Sequence, residues 1–242
     1  MATFKKVAHR GASGDYPENT RLAFEKAIQA GVDMIELDCQ MTQDGHVVIF
    51  HDEKLLRTAR VRGTLRSQSL AELKQLDIGK WFKPAFKGQH ILTLEEGLEI
   101  VAGKVDLCLE IKSHGESAPG IELKILFILS HYDCLHRTII SSFDYRCLAR
   151  VRELAPEAVL GVIVGSASRE DPVDVARRLG ATSIHAQKEL VTHDFLRHAW
   201  DDGLDVFVWT VNDVRDLESF ASLGVQGLIS NYPKRFRKVF PR

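Results

Sequence analysis

The 242-residue sequence predicts an α/β fold, a (β/α)8 TIM barrel with a small insertion after the second strand. Three observations carry this expectation. Short apolar runs alternate with helical periods from end to end, the unit recurs eight times, and several helical runs stop at a glycine just before the next apolar run. Strict alternation implies parallel strands joined by helical crossovers, and eight such units imply closure.

The barrel strands are expected at 6–9, 34–38, 105–112, 138–143, 158–164, 183–187, 205–211 and 227–230, where Val, Ile and Leu cluster. Helical periodicity places helices at 20–30, 94–102, 121–130, 145–154, 172–179, 192–202 and 214–223, with an eighth at 233–240. Gly31, Gly180, Gly203 and Gly224 follow four of these, where a left-handed cap ends a helix. One further apolar run, 47–51, does not fit the count. It follows Gln43-Asp44-Gly45, a strong hairpin signal, and is therefore expected to pair antiparallel with an extended second strand. The segment from about 53 to 90 then becomes the insertion, with a short helix at 69–76 and Trp81, Phe82 and Phe86 forming a small core of its own. An insertion at this side of a barrel overhangs the catalytic face, as a lid or a specificity element. The chain as a whole, 1–242, reads as a single barrel domain that carries this insertion.

Composition narrows the function classes. Hydrophobic residues make up 45% and charged residues 27%, and the net charge of -1 argues against a nucleic-acid surface built on bulk positive charge. No apolar run reaches the length of a membrane span, and no signal-peptide core precedes the first strand, so a cytoplasmic location is expected. Cys39, Cys108, Cys134 and Cys147 stand far apart and read as buried free thiols. The basic run Lys234-Arg235-Phe236-Arg237-Lys238 reads as a solvated last helix in preference to a lipid-binding patch.

Active sites of this architecture form at the C-terminal ends of the strands, so polar residues there are the ones to weigh. The first strand ends His9-Arg10. Glu36 and Asp38 lie two residues apart on the second strand and so share a face, and Glu110 and Lys112 do the same on the third. The hairpin strand ends His51-Asp52. Clustered carboxylates at a barrel mouth are costly without a positive partner. A divalent metal fits Glu36, Asp38 and Glu110, and all-oxygen ligation favours Mg2+ or Ca2+. The bland alternative pairs Glu36 and Asp38 with Arg10 and Lys112 and needs no metal. His9 and His51, at two strand ends around the same carboxylates, are the candidate catalytic pair. His185 lacks such support and reads as barrel filling. Trp209, near the end of the seventh strand, is a candidate pocket wall.

These residues carry a resemblance. From Val7 to Pro233 the chain resembles the glycerophosphodiester phosphodiesterase family, in its bacterial cytoplasmic type. The shared features are His9-Arg10-Gly11, Pro17-Glu18-Asn19-Thr20, Glu36-x-Asp38, Thr42-x-Asp44-Gly45, His51-Asp52, Glu110-Ile111-Lys112, Ser142-Phe143, Trp209-Thr210-Val211-Asn212 and Asn231-Tyr232-Pro233. The resemblance implies a small-molecule glycerophosphodiester substrate, cleaved to sn-glycerol 3-phosphate and an alcohol. It also implies one metal on Glu36, Asp38 and Glu110, His9 and His51 as the acid–base pair, and Arg10 and Lys112 on the phosphate. Glu18 and Asn19 open the first helix and help hold the site together. The chain departs from the family pattern at Gln226, where an aspartate is frequent.

Three rival readings fare less well. A lysophospholipase D would want an apolar lid, whereas the insertion carries Arg57, Arg60, Arg62, Arg66, Lys80, Lys83 and Lys87. A silent binding barrel would want a missing catalytic group, and none is missing. A metal-dependent amidohydrolase would want His-x-His on the first strand, where Arg10 and Gly11 follow His9.

Overall fold

A computed structural model describes residues 4–113 and 118–240. Its strands are β1 (Lys5–His9), β2 (Met34–Met41), β3 (Val47–Ile49), β4 (Leu92–Thr93), β5 (Asp106–Ile111), β6 (Thr138–Ser142), β7 (Val159–Val164), β8 (Ser183–Gln187), β9 (Asp205–Trp209) and β10 (Gly227–Ser230). The helices are α1 (Arg21–Ala30), α2 (Leu56–Ala59), α3 (Leu70–Leu73), α4 (Leu94–Val101), α5 (Ile121–His131), α6 (Tyr145–Leu154), α7 (Pro172–Leu179), α8 (His193–Asp201), α9 (Val214–Ser222) and α10 (Phe236–Val239).

Eight strands pair in parallel in the order β1-β10-β9-β8-β7-β6-β5-β2, and β2 pairs back to β1, closing the barrel. The chain thus has the expected (β/α)8 fold. The helix signals act as read: Thr20 Oγ1 accepts from the Ala23 amide, and Gly31 closes α1 in the left-handed region at φ 78°. Apolar residues from the outward strand faces and inward helix faces form one large core, including Phe24, Leu37, Leu98, Ile125 and Leu148. Inside the barrel a smaller cluster of Val7, Met34, Cys108, Phe207 and Ile229 fills the lower space.

The run after the Asp-Gly turn does pair antiparallel with β2, Cys39 opposite Ile49. A two-residue strand that the sequence pattern did not reveal, β4, adds to β3 from the far end of the insertion. Strands that short carry no detectable period. The insertion between them has its own buried cluster: Val48, Phe50, Leu55, Leu65, Leu73, Ile78 and Ile91. Trp81, Phe82 and Phe86 are not in it. They are half-buried, packed on one another, and Phe86 meets Tyr16 of the first loop with ring centroids 5.6 Å apart. Phe50 and six aliphatic side chains thus hold the interior, and Trp81, Phe82 and Phe86 fasten the insertion to the barrel rim.

The basic C-terminal run is only partly solvated. It forms a short turn and the four-residue α10 in place of a full helix. Phe236 is buried, Arg235 stacks on Tyr232 and donates to the Asn212 carbonyl, and Arg237 donates to the Gln29 carbonyl. All four cysteines are free and buried. At the opposite end of the barrel, Gln226 accepts from the Val206 amide and the Trp200 indole, so the amide oxygen fills an acceptor position there. Among the described residues no helix is long and apolar enough to cross a membrane.

Candidate active site

Strand register builds the site. His9 lies beside Glu36 across β1 and β2, and Asp38 lies beside Glu110 across β2 and β5. Parallel neighbours in register present their side chains to the same face. The period of two then places Glu36 and Asp38 on that face together. The result is a cavity of about 230 Å³ at the C-terminal ends of the strands. Its polar side is His9, Arg10, Glu36, His51, Glu110 and Lys112; its apolar side includes Phe143, Ile163, Trp209 and Ile229. A wider depression of about 490 Å³ at the other end of the strands has two acids, Asp205 and Asp106, the latter already paired with Lys5 and Arg137.

One carboxylate oxygen from each of Glu36, Asp38 and Glu110 lies within 4.8 Å of the other two. Asp38 is fully buried, with Arg10 Nε 3.1 Å from Oδ2 and Lys112 Nζ 3.4 Å from Oδ1. Asn19 Nδ2 donates to the same Oδ2 at 2.8 Å. Burial acts to raise the Asp38 pKa, but Arg10 and then Lys112 outweigh it and hold the carboxyl well below the ordinary range. Glu36 has the opposite balance: burial and the Asp38 charge push it well above normal, although the Arg10 amide donates to it at 2.8 Å. Glu110 is also raised by burial, with partial relief from Lys112 at 2.7 Å. The pairing of Asp38 with Arg10 and Lys112 is therefore real, yet it leaves three acids facing two cations. Asp38 Oδ1 and Arg10 Nε are buried without an aligned hydrogen bond. A hard divalent cation suits that donor set, because a close group of oxygens with one underused buried acceptor matches oxygen ligation.

Backbone strain accompanies the arrangement. Arg10 and Asn19 both adopt left-handed φ, at 53° and 55°. For residues with a Cβ this costs on the order of 1 kcal/mol each. Both strained residues serve the carboxylates, Arg10 through its amide to Glu36 and Asn19 through its side chain to Asp38.

The two histidines differ in what stands behind them. His9 Nδ1 lies 2.6 Å from Asn231 Oδ1, so it donates there and Nε2 is left toward Glu36, 3.8 Å away. Burial first, and Arg10 second, bring its pKa down to about 4. His51 Nδ1 lies 2.6 Å from Asp52 Oδ1, so a carboxylate backs that ring.

Comparison with known proteins gives the family and the fold. The model of the glycerophosphoryl diester phosphodiesterase family matches residues 9–235. The chain belongs to that family. It is 37% identical over 229 residues to a glycerophosphodiester phosphodiesterase of Caldanaerobacter subterraneus subsp. tengcongensis, covering 94% of each chain. It is 34% identical over 250 residues to one of Bacillus subtilis, covering 96% of this chain and 85% of that one. Among solved structures, an Oleispira antarctica phosphodiesterase in complex with the product sn-glycerol-3-phosphate superposes with a TM-score of 0.90 at 28% identity, covering 98% and 97% of the two chains. A Thermotoga maritima glycerophosphodiester phosphodiesterase gives 0.80 at 26% identity, covering 99% of each. This family member is accordingly an enzyme, a phosphoric diester hydrolase.

Around the expected residues the family member assembles others that sequence reasoning passed over. Asn231 comes from the far end of the chain, and only barrel closure brings it to His9. Arg57, read from sequence as one of the insertion charges that favour a polar, anionic ligand, is held by two carboxylates of the chain itself, Asp52 and Glu18. Cys108 and Ser141 line the cavity floor beside His185, which is buried against Phe207. Glu18 and Asn19 stand behind the carboxylates and do not line the main cavity, whereas Trp209 does, edge-to-face on Phe143.

Proposed function

We propose that this chain hydrolyses glycerophosphodiesters to sn-glycerol 3-phosphate and an alcohol, with one divalent cation, Mg2+ or Ca2+, and the histidine pair His9 and His51. The convergence of two carboxylates, two imidazoles and two fixed cations on one cavity, with the Asp38 carboxylate clustered just beneath them, carries this reading. The product held by the Oleispira antarctica neighbour supports the substrate class. Glu36, Asp38 and Glu110 would hold the cation, which when bound polarises a phosphoryl oxygen and neutralises charge developing there.

The remaining work falls to the chain. Arg10 and Lys112 supply positive charge at the phosphate, where it gains value as negative charge builds on the equatorial oxygens. His9, kept neutral by burial and backed by an uncharged amide, offers Nε2 as the base that takes the proton from the attacking hydroxyl. His51, its ring held through Nδ1 by the Asp52 carboxylate, donates a proton to the departing alcohol. The neighbouring glycerol hydroxyl is the nucleophile; it closes a cyclic phosphodiester as the alcohol leaves. Water then opens the ring, with the two histidines exchanging roles. Trp81, Phe82 and Phe86 stay off the cavity, which favours this small polar substrate over a lysophospholipid.

The deciding experiment is glycerol 3-phosphate release from glycerophosphocholine by metal-stripped protein, with Mg2+, Ca2+ or neither restored. Release that depends on a cation is expected, and a cyclic phosphate should be visible by phosphorus NMR early in the reaction. Equal release with and without metal would remove the cation from the scheme.

A further inference from the structure

The guanidinium of Arg57 joins the insertion to the end of the hairpin strand and to the first loop behind the site. Arg57 belongs to α2, the first short helix of the insertion. Its Nε donates to Asp52 Oδ2 at 2.6 Å and its Nη2 to Asp52 Oδ1 at 2.9 Å. On the other side Nη1 and Nη2 donate to the two Glu18 oxygens, each at 2.7 Å. Trp81 packs beneath the guanidinium, its ring centre 5.5 Å from the Arg57 Cζ. The contacts continue at both ends. Asp52 Oδ1 accepts from His51, and Glu18 Oε1 accepts from Arg10 at 3.0 Å. Gln40 Nε2 fixes the strand end from the other side by donating to the Phe50 and Asp52 carbonyls. Between Glu18, Asn19, His51, Arg57 and Thr58 the enclosed space is about 10 Å³. That is room for one water at most, so the group is tightly fitted behind the imidazole.

We infer that Arg57 is a positioning residue for the reaction: by clamping Asp52 against Glu18 it fixes the His51 ring for proton delivery to the leaving alcohol. The inference rests on the reading of His51 as the acid. Its physical basis is that Asp52 and Glu18 are carboxylates sharing one guanidinium. Without Arg57 the two repel and Asp52 loses both bonds that hold its plane. The carboxylate then swings, and the imidazole it orients swings with it. A two-carboxylate fork of this kind suits arginine, because the planar donors hold both acids at fixed angles; lysine, a single point charge, cannot. The insertion therefore serves the chemistry from behind, through α2, and is more than a cover over the mouth.

An ordinary surface ion pair would contribute to stability alone, so the test compares two substrates in the same protein sample. Glycerophosphocholine releases an alkoxide that needs a proton. The p-nitrophenyl ester of glycerol 3-phosphate releases a weakly basic phenolate that does not. Arg57→Met keeps the stem over Trp81 and removes the donors. With metal supplied, Arg57→Met is expected to lower kcat on glycerophosphocholine about 10- to 100-fold, the usual effect of losing an orienting partner. On the nitrophenyl ester the loss should stay below about threefold, because that step needs no general acid. Arg57→Lys should recover part of the loss. The ratio of the two rates is independent of how much protein is folded. Equal losses on both substrates, or none on either, would overturn the inference. His51→Gln run alongside separates the two layers. If it shows no leaving-group contrast, the acid assignment falls and the inference with it; contrast in His51→Gln but not in Arg57→Met removes the role of Arg57 alone.

Discussion

Asp38 shows how much one side chain holds at this site. It is fully buried and touches Arg10, Lys112 and Asn19, which also reach Glu18, Glu36 and Glu110. Replacing it by Asn would leave Arg10 and Lys112 buried with one fewer counterion, which costs about 3–5 kcal/mol when a buried pair is broken. Asp38→Asn is therefore expected to lower the denaturant midpoint strongly as well as abolish turnover, while Glu110→Gln, at the cavity edge, should lose metal binding with a smaller change in midpoint. Chemical denaturation of the two variants side by side checks this. His51→Ala should lose about 10²–10⁴-fold in kcat, the range for a general acid or base. Near-wild-type turnover would end the two-histidine scheme.

At the level of elements, the first βα loop and the insertion carry the site, and each has a weak point. Gly11 follows Arg10 at φ 77°, and a Cβ there would sit 2.7 Å from the Ala23 backbone carbon on α1. Gly11→Ala combines an unfavourable φ with a collision against backbone that cannot move away. It should destabilise by about 2 kcal/mol or more, read as a lower melting temperature, and displace Arg10. In the insertion, Leu65 is fully buried within a cluster separate from the main core. Leu65→Ala should cost about 2–5 kcal/mol locally. The damage is expected as faster amide exchange and proteolysis within 53–90, with the barrel helices unchanged, and as a fall in kcat because α2 carries Arg57. The paired carboxylates in this region add an acid limb. Asp52 and Glu18 are both depressed, against burial, by hydrogen bonds from their partners, Arg57 foremost for Glu18 and His51 for Asp52. A depressed carboxyl contributes stability above its unfolded pKa of about 4. That contribution is lost as pH falls through the folded value, so the insertion should loosen first on acidification.

For the molecule as a whole, the charge balance in the barrel mouth couples metal, pH and stability. Glu36 and Glu110 are raised carboxyls, so in the metal-free protein they favour the protonated form and oppose folding once pH climbs past their folded values. A cation must displace those protons. The rise in melting temperature on adding Mg2+ or Ca2+ is therefore expected to grow from pH 5 to pH 8, measured by thermal shift across buffers. A gain that stays constant with pH would contradict the raised carboxyls. Much of this was legible in the linear chain, for reasons local to it. Alternation of apolar runs with helical periods determined a closed eightfold barrel, the Asp44-Gly45 turn determined the hairpin, and a spacing of two placed Glu36 with Asp38. These signals depend on period and turn chemistry, which a chain carries within a few residues. Tertiary structure decided what joins distant segments: Asn231 behind His9, Glu18 and Asp52 on either side of Arg57, and Phe50 with Leu and Ile side chains in place of Trp81, Phe82 and Phe86 in the core of the insertion. Such contacts span from tens of residues to more than two hundred, and their energies come from register and closure, which exist only once the barrel has formed.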